Sequence, residues 1–160
     1  LEMFEKDPKN ALGHANLGFV YLQMKKYDQA IDAFKTALKY DPKNVTALYN
    51  LGITNYELGK KKLAIENLKA AAEAAPAGNK FLAYYKLGEI YQEQKKYPQA
   101  IEVYQKSIQD DPTMWNSHFK LGQLYEKTKQ KDLALEEFKK ASVFNPNSTE
   151  IKKAIERLSK

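Results

Sequence analysis

Proline recurs along this chain at Pro8, Pro42, Pro76, Pro112 and Pro146, at intervals of 34, 34, 36 and 34 residues. The pairs Leu17-Gly18, Leu51-Gly52, Leu87-Gly88 and Leu121-Gly122 keep the later part of that step, and so do Ala30, Ala64, Ala100 and Ala134. Three markers with one period argue against a single closed core. A period of this size means supersecondary units stacked in line, each burying its apolar face only against its neighbours. Stacked units make extended surfaces, so binding is the function class to expect.

Within a unit the pattern reads as two amphipathic helices around a short polar turn. Leu17, Val20, Tyr21 and Met24 recur at helical spacing; after Lys25-Lys26-Tyr27-Asp28, so do Ile31, Phe34, Ala37 and Leu38. Asp28 and Asp132 are placed to cap second helices, and Pro98 suits the first turn of another. Gly59 reads as the left-handed residue that ends the helix containing Leu51. Asp-Pro at 7–8, 41–42 and 111–112 and Asn-Pro at 145–146 close the units.

These residues resemble the tetratricopeptide repeat, whose hallmarks appear here as Leu17-Gly18-Tyr21-Ala30-Phe34-Ala37-Pro42. Leu121-Gly122-Tyr125-Ala134-Phe138-Ala141-Pro146 matches equally well, and Leu87-Gly88-Tyr91-Ala100-Tyr104-Ser107-Pro112 nearly so. The second unit departs most: Asn55 stands at the tyrosine position and Leu68 at the aromatic one. The resemblance implies an all-α, right-handed superhelical solenoid of four helix-turn-helix repeats, 11–44, 45–80, 81–114 and 115–148, with a two-residue insertion in the second. Residues 149–160 then form a capping helix with Ile151, Ala154, Ile155 and Leu158 on one face and Lys152, Lys153, Glu156 and Arg157 on the other, started by Asn147 and Glu150. Leu1, Met3 and Phe4 before Asp7-Pro8 match Leu38-Lys39-Tyr40 before Asp41-Pro42, so 1–8 are expected to be the tail of a preceding repeat helix in a longer array.

Catalysis finds no foothold. There is no cysteine, so thiolate nucleophiles and thiolate metal sites are excluded. No nucleotide-binding glycine loop or zinc spacing appears, and neither a cofactor nor a metal is expected. His14 and His118 hold equivalent places in units one and four, a place the family fills with a packing residue. Glu136-Glu137 reads as part of a solvated face. No apolar run approaches the roughly 18–20 residues a membrane span needs. Net charge is +6, yet Arg157 is the only arginine among 26 basic residues, which disfavours a dedicated nucleic-acid reader.

The resemblance places the first helix of each repeat on a concave face. The groove residues it implies are Ala15, Asn16 and Phe19; Tyr49, Asn50, Ile53 and Tyr56; Tyr85, Lys86 and Glu89; and Phe119, Lys120 and Gln123. A groove of this kind suits a peptide of about ten extended residues, at about 3.3 Å each, or one short helix of a protein partner. Lys86 and Lys120 replace Asn16 and Asn50 in the later repeats and would contact a ligand carboxylate. The lysine-asparagine clamp by which some family members hold acidic chaperone tails is mostly missing, because Ala15 and Phe19 occupy its first-repeat places. Lysines also gather at each intra-repeat turn: Lys25 and Lys26; Lys60, Lys61 and Lys62; Lys95 and Lys96; Lys127, Lys129 and Lys131. This basic edge serves helix dipoles and solubility, or meets an anionic partner such as an acidic protein, a membrane surface or nucleic acid. The competing functional expectation is a structural scaffold or spacer that self-associates through an uncapped N-terminal end.

The second repeat is rich in alanine (Ala70, Ala71, Ala72, Ala74, Ala75) and is followed by the lengthened Pro76-Ala77-Gly78-Asn79-Lys80 link. Small side chains bury less apolar surface and a longer link costs more entropy to order, so the joint between repeats two and three is expected to be the weakest.

Overall fold

A computed structural model describes residues 10–159, which form nine α-helices and no strand. They are α1 (Ala11–Gln23), α2 (Tyr27–Tyr40), α3 (Val45–Glu57), α4 (Lys61–Ala74), α5 (Phe81–Glu93), α6 (Tyr97–Asp110), α7 (Trp115–Lys127), α8 (Lys131–Phe144) and α9 (Thr149–Leu158). The expected tail at 1–8 lies outside the described residues. The chain divides into two compact units, Leu1–Pro76 and Ala77–Lys160.

In the first unit α1 packs on α2 and α3 on α4, with α2 against α3 and α1 beside α3. In the second, α5 packs on α6 and α7 on α8, with α6 against α7 and α9 against α8. Pairing depends on small residues at the crossing. Ala30, Ala64, Ala100 and Ala134 are wholly buried, as are Phe34, Leu68, Tyr104 and Phe138 one turn further along. Each large side chain lies over a glycine of the partner helix: a β-carbon on Gly18 would stand 2.6 Å from the Phe34 ring, and one on Gly88 2.5 Å from the Tyr104 ring. The repeat marker Leu-Gly is therefore a record of ring-to-backbone contact.

The turn inside every pair has one geometry. Lys25, Gly59, Lys95 and Lys129 occupy register-equivalent places with φ of 56°, 73°, 59° and 64°. The next residue reaches back across the turn: the amides of Lys26, Lys60, Lys96 and Gln130 donate to the carbonyls of Tyr21, Asn55, Tyr91 and Tyr125. This is the glycine-type helix ending, and three of four copies place lysine in the left-handed conformation, at about 1 kcal/mol each. Gly59 behaves as its sequence context predicts; the other three lysines were legible only as charge.

Capping differs from expectation at three places. Asp28 and Asp132 lie inside the first turn, where they favour the helix dipole, while Lys26 and Gln130 are the cap residues and offer no side-chain bond. The start of α9 is capped by Ser148, which accepts from the Ile151 amide, and not by Asn147. Pro98 does sit in the first turn of α6. Asn10 and Asn44 cap α1 and α3 by accepting from the amides of Gly13 and Ala47.

The lengthened link has its own anchor. Lys80 gives α5 no side-chain cap. Asp110, at the end of α6, supplies it from 30 residues away: its carboxylate accepts from the amides of Gly78, Lys80 and Phe81 at 2.8, 2.6 and 2.9 Å. The division of the chain falls just before this anchored segment.

Gly88→Ala tests the ring-to-backbone contact. Overpacking against Tyr104 costs about 1–3 kcal/mol and the helix-propensity gain returns about 1, so a net loss of about 1 kcal/mol is expected in urea unfolding. Tyr104→Leu in the same chain should relieve part of it, giving a non-additive double-mutant cycle.

Candidate binding surface

In the first unit the groove residues separate into two groups. Ala15 is wholly buried in the cluster around Phe34, Ala37 and Leu51, and so is core rather than groove. Asn50 is also buried, and its amide nitrogen donates to the Thr46 carbonyl of its own helix at 2.9 Å. Asn16 and Phe19 are exposed, and Tyr49, Ile53 and Tyr56 are half-buried.

In the second unit Tyr85, Lys86 and Glu89 on α5 and Phe119, Lys120 and Gln123 on α7 are all half-buried. Tyr85 and Phe119 repeat one arrangement, each tilted on the buried ring of the adjoining helix: Tyr85 on Tyr104 at 5.8 Å, Phe119 on Phe138 at 5.5 Å. Burial pushes the Tyr85 hydroxyl up to about 12, and the charge and hydrogen bond of Glu89 add to it. Lys86 is bound to Glu89, Nζ to Oε2 at 3.0 Å. Gln123 takes the place of Glu89 on α7, and Lys120 has no ion-pair partner among the described residues. The two groove lysines, equivalent in sequence, are thus electrically different.

The turn lysines Lys25, Lys26, Lys60, Lys62, Lys95, Lys96, Lys129 and Lys131 are exposed, and Lys61 is half-buried. Among the described residues no group of three or more His, Asp or Glu side chains could hold a metal ion. No helix there is long and apolar enough to cross a membrane.

His118 is the packing histidine its position predicts, but its partner was missed. Nδ1 lies 2.6 Å from Glu137 Oε2 and Nε2 3.0 Å from the Pro112 carbonyl, with the ring stacked on Phe144. Glu137 is therefore buried, not part of a solvated face; only Glu136 is exposed. A signal existed in the register: Ala33, Asn67 and Val103 hold the same place in the other repeats, so an acid there needs a partner. His14 is half-buried and stacks on Tyr40 instead.

α9 has a second role that its hydrophobic pattern did not show. Arg157 holds Glu126 of α7 in a two-pronged contact, Nε to Oε1 at 3.0 Å and Nη2 to Oε2 at 2.7 Å. The capping helix therefore runs beside the last first-type helix, and a cavity lies between them, lined in part by Phe119 and Gln123.

Burial raises the Glu137 carboxyl, but the hydrogen bonds from His118 and Lys140 outweigh it and hold the group below its ordinary value. A depressed carboxylate contributes stability above the unfolded value of about 4.5, and that contribution is lost as pH falls through the folded value. Glu137→Gln should therefore flatten the acid limb of a stability-versus-pH curve below about 4.5, measured by urea unfolding beside the parent chain.

Comparison with known proteins places this arrangement in context. The family description "TPR repeat" matches residues 20–59 and 88–129, and "Tetratricopeptide repeat" matches 1–32, 45–77 and 116–147. No curated protein sequence matches significantly. Among solved structures the chain is similar to MamA, with 30% identity over 91% of this chain and 84% of that one and a TM-score of 0.79. It shares its fold with pilF of Pseudomonas aeruginosa (22% identity, 98% and 70% covered, TM-score 0.87). The same holds for YrrB, described as a TPR protein with an unusual peptide-binding site (18% identity, 98% and 80% covered, TM-score 0.79). The fold is an all-α repeat solenoid.

Proposed function

The chain belongs to the tetratricopeptide repeat family, a family of protein–protein interaction modules, and on that premise we propose that it is a non-catalytic adaptor holding a short peptide segment against its first-type helices. One observation carries the reading. The rings that lie over the pairing glycines, Phe34, Tyr104 and Phe138, are completely buried, whereas Phe19, Tyr49, Tyr56, Tyr85 and Phe119 on the first helices keep part of their surface open. Half-exposed aromatics beside polar groups are what anchor residues of a binding surface look like. Lys120 adds a cation with no ion-pair partner among the described residues, suited to a carboxylate of the peptide, while Lys86 is occupied by Glu89.

A peptide selected on this chain from a random display library provides the test. Lys120→Ala should weaken it several-fold and Lys86→Ala less, and Tyr49→Ala/Tyr85→Ala should weaken it by at least about tenfold with helicity retained in circular dichroism. Unchanged affinity in the double tyrosine variant would remove the first helices from recognition.

A second reading, self-association, rests on α1. Val20 is 51% exposed, while its equivalents Thr54, Ile90 and Leu124 are wholly buried. Leu12, Phe19 and Met24 are exposed beside it, and no charged residue occurs from Ala11 to Met24. Sedimentation separates the two: a concentration-dependent oligomer that Val20→Glu dissolves favours this scaffold reading, and a monomer at all concentrations rejects it.

A further inference from the structure

We propose that the cavity between α7 and α9 is a specificity pocket for an aromatic side chain carried beside a carboxylate. The inference rests on the peptide-binding reading above and names one residue of the segment that would be held. The cavity has a volume of about 270 Å³, below the roughly 300–1,000 Å³ of small-molecule sites, and is of a size for a single large side chain.

Its chemistry has two parts. The apolar part is Phe119, half-buried and tilted on the wholly buried Phe138, with Ala154 of α9 facing it. An incoming ring meets the aromatic pair there in the tilted or offset contact such rings favour, and the single methyl of Ala154 keeps the space open. The polar part holds two acids, Glu126 and Glu150, and two bases, Arg157 and Lys153. Glu126 is consumed by the fork of Arg157, so its charge does not repel an acid. Lys153 lines the cavity with no ion-pair partner among the described residues and is the cation left to meet a carboxylate, with the exposed acid Glu150 on the same wall. Gln123 at the wall offers an amide that donates to a carboxylate oxygen.

The aromatic ring and Lys153 together select the occupant: a purely aliphatic side chain leaves the cation unused, and an acidic one alone leaves the rings bare. Sequence shows what sets this pocket apart: the helix beside α7 is the ten-residue α9, which carries Lys153, Ala154 and Arg157 where α7 has Phe119, Lys120 and Gln123 one period earlier.

The simplest molecule with this chemistry, 3-phenylpropionate, tests the pocket without any partner protein. Titrated into the isotope-labelled chain at millimolar concentration, it should give saturable amide shifts at Phe119, Gln123 and Ala154. The neutral 3-phenylpropanol and the Lys153→Glu variant should each weaken binding by about fivefold, the effect of losing one partly exposed charge pair. Acetate should give no saturation. Ala154→Leu should fill the space and abolish the shifts, with Gln123→Trp as a second filling variant should the first unfold. Absent saturation, saturation at other residues, or equal binding of acid and alcohol would overturn the proposal. A selected peptide that still requires Tyr49 and Tyr85 while the pocket stays silent would overturn the pocket alone and leave the groove reading standing.

Discussion

The contact between a ring and a bare backbone sets the spacing within each helix pair. Where Phe34, Tyr104 and Phe138 lie over Gly18, Gly88 and Gly122, the added β-carbon of any other residue would stand closer than 3.0 Å to ring carbon. Helices brought this near leave no void between them, and close-packed interiors transmit rather than absorb a change of shape. The first-helix aromatics depend on this spacing, because Tyr85 and Phe119 rest on the buried rings and are held half-open by them. In the second repeat Leu68 over Gly52 does the same work with a branched aliphatic chain.

Much of this was legible from residue order. Helix pairing, the left-handed Gly59, the first-turn Pro98 and the packing role of His118 follow from local rules that operate over a few residues. What escaped were contacts between distant positions. Asp110 belongs to a helix end by its neighbours, and nothing around it reveals the three amides of another helix start that it receives. Glu137 beside Glu136 looked like surface until its buried histidine was placed against it. Arg157 and Lys153 were read as solvent-facing because helical periodicity locates an apolar stripe but cannot say which neighbour meets the stripe's border.

Electrostatics in the second unit shows how a repeat array diversifies without changing its frame. One position, 89 against 123, exchanges glutamate for glutamine, and the lysine three residues earlier passes from a glutamate partner to none among the described residues. Another, 137, exchanges the uncharged residues of the other repeats for an acid, and a buried polar link appears between α7 and α8. Both changes leave helix lengths at 13 and 14 residues, as in the remaining pairs. Shape is carried by glycine, alanine and the rings; chemistry varies at places that the rings leave accessible.

The reach of Asp110 has a consequence for the order in which the chain acquires structure. A ribosome delivers residues in sequence, so the amides of Gly78, Lys80 and Phe81 emerge about thirty positions ahead of the carboxylate that receives them. Helices α1 to α4 carry their own endings, with caps at Asn10 and Asn44 and turns closed within six residues. The segment after Pro76 has no such local provision. The side-chain cap of α5 therefore cannot form until Asp110 has joined the chain, whereas the caps of α1 and α3 are available as soon as those helices are made.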